Sequence, residues 1–236
     1  MAISHSVIAS ILALTTPTLT QPEVAPPPIA EPEVVTEYAD APTVYHTLTG
    51  GEAQVVFTSK APLENIVGKS NQVVGYVIPG DSDKPAELVA AHWILPVESL
   101  ATGIPLRDKH MTGSEWLDGN HFPGIEFELH RIESTKLIKE GNGFSTWSVT
   151  LVGEMRLHGV SKELQIQDAT LSFLVASDRT ATIAPGDLMF LKCTYIVRLS
   201  DFGITHKDVP DKVSDEIKLN QTLRLSTAKQ AYRIDE

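Results

Sequence analysis

The stretch Thr146-Trp147-Ser148-Val149-Thr150-Leu151-Val152-Gly153-Glu154-Met155-Arg156-Leu157-His158 decides the architecture. Its odd positions Trp147, Val149, Leu151, Gly153, Met155 and Leu157 are apolar or small. Its even positions are polar apart from Val152. A period of two with one apolar face marks a half-buried antiparallel strand, because successive side chains of a strand point to opposite faces of the sheet. The same alternation recurs on both sides. Val89, Ala91, Trp93 and Leu95 share a face, and Ile125, Phe127 and Leu129 stand opposite Glu126, Glu128 and His130. Leu164 and Ile166 alternate with Gln165 and Gln167. Met189, Leu191, Cys193, Tyr195, Val197 and Leu199 form another apolar parity, and Ile217, Leu219, Leu223 and Leu225 a last one. Val55 to Phe57 and Val73 to Ile78 add two shorter strands, in whose neighbourhood Gly68 and Gly75 predict bulges or sharp bends. Turn signals punctuate the series at Glu140-Gly141-Asn142-Gly143, His158-Gly159 and Pro185-Gly186-Asp187. Long strands with one apolar face and short connections predict an all-β chain, an antiparallel barrel of roughly eight strands. A two-sheet sandwich is the alternative.

Between two of these strands lies Gly103 to Phe127, whose pattern is helical. Pro105 suits a first helical position, where its missing N–H costs nothing, and Asp108 suits the positive end of the first turn. A helix from Leu106 to about Leu117 projects Arg107 and His110 on adjacent faces. The two could converge on a polar headgroup at a barrel mouth. Alternatively, Arg107 and Asp108 pair with loop or strand groups and cap the barrel.

Composition narrows the function classes. A formal net charge of −11 excludes nucleic acid and anionic lipid surfaces as electrostatic partners. The single cysteine, Cys193, permits no intrachain disulfide, and its apolar parity predicts a buried, inert thiol. Val7 to Leu14 form an apolar run too short to span a bilayer and suited to the core of a signal peptide over residues 1–20, although no Lys or Arg precedes Lys60. Residues 21–43 are rich in Pro and Glu and read as an extended linker. The folded domain is expected over 44–228, followed by a tail over 229–236. The expected location is periplasmic or secreted.

No catalytic constellation emerges. Ser59, Ser148 and Ser161 lack flanking elbow glycines, and Asp201-Phe202-Gly203 has none of the other kinase motifs around it. His110 and His121 with Asp108 or Asp118 lack metal-ligand spacing. The sequence therefore predicts neither enzyme activity nor metal nor cofactor.

Five blocks together resemble the YceI-like family of lipid- and polyisoprenoid-binding proteins of bacterial periplasms. They are Phe57 to Glu64 with Gly68, Arg107-Asp108-Lys109-His110-Met111, Phe122 to Phe127, Leu157 to Lys162, and Asp201-Phe202-Gly203-Ile204, in the family's order over about residues 46–227. The resemblance implies an extended lipocalin-like eight-stranded barrel with a helical insertion. It also implies an interior tunnel for a long-chain amphiphile, such as an isoprenoid, quinone or fatty-acid derivative. On parity, Trp93, Phe122, Phe127, Trp147, Leu151, Met155, Leu157 and Phe202 are the lining candidates, with Arg107 and His110 at the mouth and plain core packing as each residue's alternative. A long hydrocarbon chain needs no charged contact there, since apolar burial contributes roughly 25 cal/mol per Å². The rival function is a barrel serving as an interaction module for a membrane-associated redox or transport protein. A homodimer stays open.

Overall fold

The computed structural model describes residues 42–228. The expected signal peptide, the linker up to residue 41 and the tail from 229 lie outside the described residues. Within them the chain forms ten strands: β1 Tyr45–Thr47, β2 Val55–Lys60, β3 Asn65–Ser70, β4 Val74–Ile78, β5 Ala90–Pro96, β6 Gly124–Gly141, β7 Phe144–Leu157, β8 Val160–Leu174, β9 Leu188–Arg198 and β10 Glu216–Ser226. One helix, α1 Pro105–Thr112, separates β5 from β6.

All ladders are antiparallel, and the ten strands fill eight positions of a closed ring. β10 pairs with β9 along one edge. Along its other edge it pairs first with β2, through Ile217 to Gln221, and then with β1, through Leu225 and Ser226. β1 and β2 are thus two pieces of one interrupted staff. β3 and β4 are two pieces of the next, since β2 pairs β3 and β1 pairs β4. β5, β6, β7 and β8 complete the circuit back to β9. Closure through β1 rules out the sandwich and leaves an antiparallel eight-stranded barrel with a short helical insertion.

The ring is tight at one end and splayed at the other. β8 pairs with β9 only from Thr170 to Leu174, so the first half of β8 and the second half of β9 diverge. The divergence begins at a bulge. Val149 opposes Ala169 but Leu151 opposes Ile166, so β8 carries one extra residue there, and Asp168 adopts φ 53°. The bulge shifts the inward parity of β8 from Leu164 and Ile166 to Ala169, Leu171 and Phe173. At the same end β3 reaches the segment after β5 through the bridge between Lys69 and Ala101 and a hydrogen bond between the Ser70 and Ser99 hydroxyls at 2.6 Å, and the segment bearing α1 lies beside this gap.

Three further register shifts fall between β6 and β7, at Leu129/Arg131, Ile132/Ser134 and Leu137/Lys139. In each the extra residue is on β6. Beyond Glu128, β6 pairs only with β7 among the described residues. The β2–β3 and β4–β5 ladders run without a shift, contrary to the expectation for Gly68 and Gly75. Gly68 is there for space: a Cβ on it would stand 2.3 Å from the Phe57 ring.

Two other expectations change. Val89 precedes β5 and is 50% exposed, so the inward face of that strand starts at Ala91. The helix stops at Thr112 rather than near Leu117, because Gly113 leaves helical geometry (φ −74°, ψ 171°) and donates its N–H back to the His110 carbonyl. The His158-Gly159 turn is as expected. Both residues have positive φ, 52° and 73°, the type I′ geometry that matches strand twist.

Candidate functional site

The tight end is filled. Leu171, Leu191 and Leu223 are register neighbours on β8, β9 and β10, each fully buried, with Met189 and Leu225 in the next layer. Gln54 seals this region between β1 and β4. Its amide nitrogen donates to the Leu48 and Val73 carbonyls, and its oxygen accepts the Val73 N–H at 2.7 Å.

The splayed end holds a cavity of about 410 Å³, within the range of small-molecule sites. Its wall follows the inward parity of five strands: Trp93 and Leu95 on β5, Ile125 and Phe127 on β6, Met155 and Leu157 on β7, Tyr195 and Val197 on β9, and Ile217 and Leu219 on β10. Phe57 of β2 adds its ring over Gly68. Trp93 and Phe127 stack at 4.6 Å between centroids. The Phe127 ring also lies over Gly153, where a Cβ would come within 2.7 Å of it and 2.2 Å of the Glu128 carbonyl. Along β10 the wall runs from Ile217 to Gln221, four steps of about 3.3 Å each, or roughly 13 Å along the strand.

Three segments frame the mouth. α1 and the turn after it contribute Leu106, Arg107, His110, Met111, Trp116 and Leu117; the β2–β3 turn contributes Glu64; the loop before β10 contributes Asp208, Lys212 and Val213. Leu106 is 65% exposed, a large apolar side chain that α1 leaves uncovered. The segments are tied together. Arg107 forms an ion pair with Glu64, joining α1 to the hairpin. Leu63 donates its N–H to the Asp211 carbonyl at 2.9 Å, and Ser59 Oγ accepts the Ser214 N–H at 2.8 Å. The His206 ring packs on Trp116 at 4.5 Å between centroids, tilted by 33°, joining the loop to the helical insertion. Asp108 turns inward to cap the chain before the helix, accepting the Thr102 N–H at 2.8 Å.

The candidates divide accordingly. Trp93, Phe127, Met155, Leu157, Arg107 and His110 come together around the cavity. Leu151 is fully buried in the filled end, and Trp147 is half-buried there, its indole N–H donating to Ser145 Oγ at 3.1 Å. Phe202 packs with Leu199 and Ile204 on the short turn after β9, in the cluster that contains Met155 and Val197, and is not among the lining residues. Phe122 lies over Gly159 and against His158, whose Nδ1 donates to the Phe202 carbonyl at 3.3 Å. Those four positions belong to the walls and ends of the barrel.

Charged groups in the lining come from the mouth segments, apart from Glu126, which accepts from Arg156 at 3.2 Å. At the deep end Tyr195 and Gln221 form a polar pair, in which the tyrosine hydroxyl donates to the glutamine Oε1 at 3.0 Å. Burial pushes the Tyr195 hydroxyl above its ordinary pKa, so it stays protonated. Sequence reasoning passed over Gln221, although one signal was visible: it is the lone polar residue on the inward parity of β10. Among the described residues no three His, Cys, Asp or Glu side chains are grouped to hold a metal ion.

The geometry has parallels among solved structures. BcnA of Burkholderia cenocepacia is 18% identical, with a TM-score of 0.52 over 73% of this chain and 95% of its own. A polyisoprenoid-binding domain from Saccharophagus degradans is 11% identical, with a TM-score of 0.50 over 78% of this chain and 98% of its own. The YCEI protein of Campylobacter jejuni is 16% identical, with a TM-score of 0.48 over 86% of this chain and its whole length. At such identities the likeness to the first two speaks for the fold alone. No curated protein matches the chain. The family model for the YceI-like domain matches residues 46–225, which runs from β1 to the end of β10 and takes in α1 and every wall of the cavity, and the chain belongs to the YceI-like family.

Proposed function

We propose that this barrel binds a long-chain amphiphile non-catalytically, sequestering or carrying it with the apolar chain in the splayed end and the lid segments over it. The observation that carries this reading is the cavity itself, which follows β10 for some 13 Å by strand spacing and is walled mainly by apolar side chains. Hydrocarbon placed there leaves water at a gain of roughly 25 cal/mol per Å². The neighbouring domain described as polyisoprenoid-binding favours an isoprenoid among such ligands. Arg107 and His110 then act at the mouth, the first as a latch through Glu64. We place this activity in an exported compartment on the apolar run Val7 to Leu14, which cell fractionation and N-terminal sequencing of the mature protein would check.

The direct test is to extract protein purified from its own host with organic solvent and read the extract by mass spectrometry. A stoichiometric long-chain lipid is expected, and it should be lost when Leu219→Trp fills the cavity. A folded protein that yields no lipid, and whose Leu219→Trp variant is unchanged in uptake of added isoprenoid, would end the proposal.

A further inference from the structure

We infer that the end of the ligand that enters first carries a neutral hydrogen-bond acceptor, a carbonyl oxygen, read by the Gln221 amide at the floor of the cavity. The inference rests on the lipid-binding reading and adds the chemistry of the ligand's inner end and its orientation.

Gln221 is 2% exposed and lines the cavity at its deepest level on β10, with the fully buried Leu223 next below it. Its Oε1 is engaged by the Tyr195 hydroxyl at 3.0 Å. That bond orients the amide, and its nitrogen has no hydrogen-bond partner among the described residues. Two N–H donors therefore stand at the end of an otherwise apolar chamber. A buried donor left unmatched carries the full desolvation penalty of that group. A saturated chain pushed to the floor would strip these donors of water and return nothing, whereas a carbonyl oxygen would take one of them.

The charge distribution sets the acceptor's type. An ionised carboxylate or phosphate needs a cation beside it when desolvated. The lining cations are Arg107 and Lys212, which belong to the mouth and already face Glu64 and Asp208. None stands with Tyr195 and Gln221. The floor is thus built for an uncharged oxygen, as in a ketone, a quinone ring or an ester, and an anionic end would be left among the mouth groups. Sites built to hydrogen-bond a ligand group discriminate strongly against analogues that lack it, because their own buried polar atoms are left unpaired.

The test compares methyl tridecyl ketone with pentadecane, equal in carbon number, for displacement of a fluorescent fatty probe from the delipidated full chain. The ketone is expected to bind about ten-fold more tightly, one hydrogen bond's worth. Gln221→Leu should abolish that difference while retaining pentadecane, and Tyr195→Phe, which frees the amide to turn, should reduce it. The carbonyl infrared stretch of the bound ketone should lie below that of the ketone in hexane, a readout that needs no variant to fold. Equal binding of ketone and alkane, or a bound ketone with an unshifted stretch, would overturn the floor assignment and leave the lipid reading standing. A folded protein that takes up neither compound would overturn both.

Discussion

Leu191 and Val197 sit on the same strand and the same face, one in the filled end of the barrel and one on the wall of the cavity. So do Leu223 and Leu219 on the neighbouring strand. Parity is identical in each pair, and what differs is how the strands are held. Around Leu191 both edges of β9 are laddered, to β8 and to β10, and the leucines of three strands meet in one layer. Around Val197 only the β10 edge is laddered, because β8 has bent away at Asp168. One extra residue in β8 thus converts a solid core into a chamber. The diverging wall is then sealed by the Leu199, Phe202 and Ile204 cluster rather than by backbone hydrogen bonds. An interior filled at native density resists changes of volume, whereas a wall that borders space has already forgone those contacts.

The sharpest way to break this contrast is truncation at matched positions. Leu191→Ala should cost about 2–5 kcal/mol by chemical denaturation, the usual range for a core leucine. Leu219→Ala should cost under about 2 kcal/mol, since it enlarges an existing cavity rather than opening a new one. Equal losses would mean the two ends are packed alike. Alkaline pH should act on the filled end next. Burial raises the Cys193 thiol from 9.0 to about 12. Burial, and secondarily Asp187, raise the Tyr45 hydroxyl from 10.0 to about 12. Both groups hold their protons longer folded than unfolded, so their contribution to stability is fully present below about pH 9 and is lost between pH 9 and 12. Melting temperatures across that range should drop, and less steeply in Cys193→Ala; a flat profile would contradict the burial of both groups.

Smaller effects are expected at the boundary and the mouth. Gly153→Ala pushes a methyl group into Phe127 and the Glu128 carbonyl and should cost about 1–3 kcal/mol with reduced ligand capacity. Arg107→Ala combined with His110→Ala should change stability by at most about 1 kcal/mol, as for a partly exposed ion pair, while ligand dissociates faster. A large stability loss with unchanged dissociation would make the pair a clamp on the fold and nothing more.

Much of the barrel was legible in the sequence because a half-buried strand must alternate. The inward faces of β7, β9 and β10 follow from parity alone. The position of a residue along the barrel axis does not. Leu151 and Met155 are four apart on one face, yet Leu151 is wedged between Ile132 and Ile166 in the filled end while Met155 borders the cavity. That distinction depends on where neighbouring ladders end. The β8 bulge left a trace, the change from even to odd apolar positions between Ile166 and Ala169, and the floor left another in the isolated Gln221. The lid was legible as a helix start at Pro105, but its end was misjudged because Gly113 outweighed the spacing that continued to Leu117.

The bulges of β6 bear on what another chain could do at its unpaired edge. A strand with a bare edge invites other chains to add to it, and cross-β stacking needs six or seven consecutive residues in register. From Leu129 onward the uninterrupted runs of β6 are Arg131–Ile132, Ser134–Leu137 and Lys139–Gly141, none longer than four residues. Arg131, Lys136, Lys139 and Glu140 place charges along them. Straightening the strand by deleting the three extra residues would be expected to leave the cavity unchanged and to favour fibril formation.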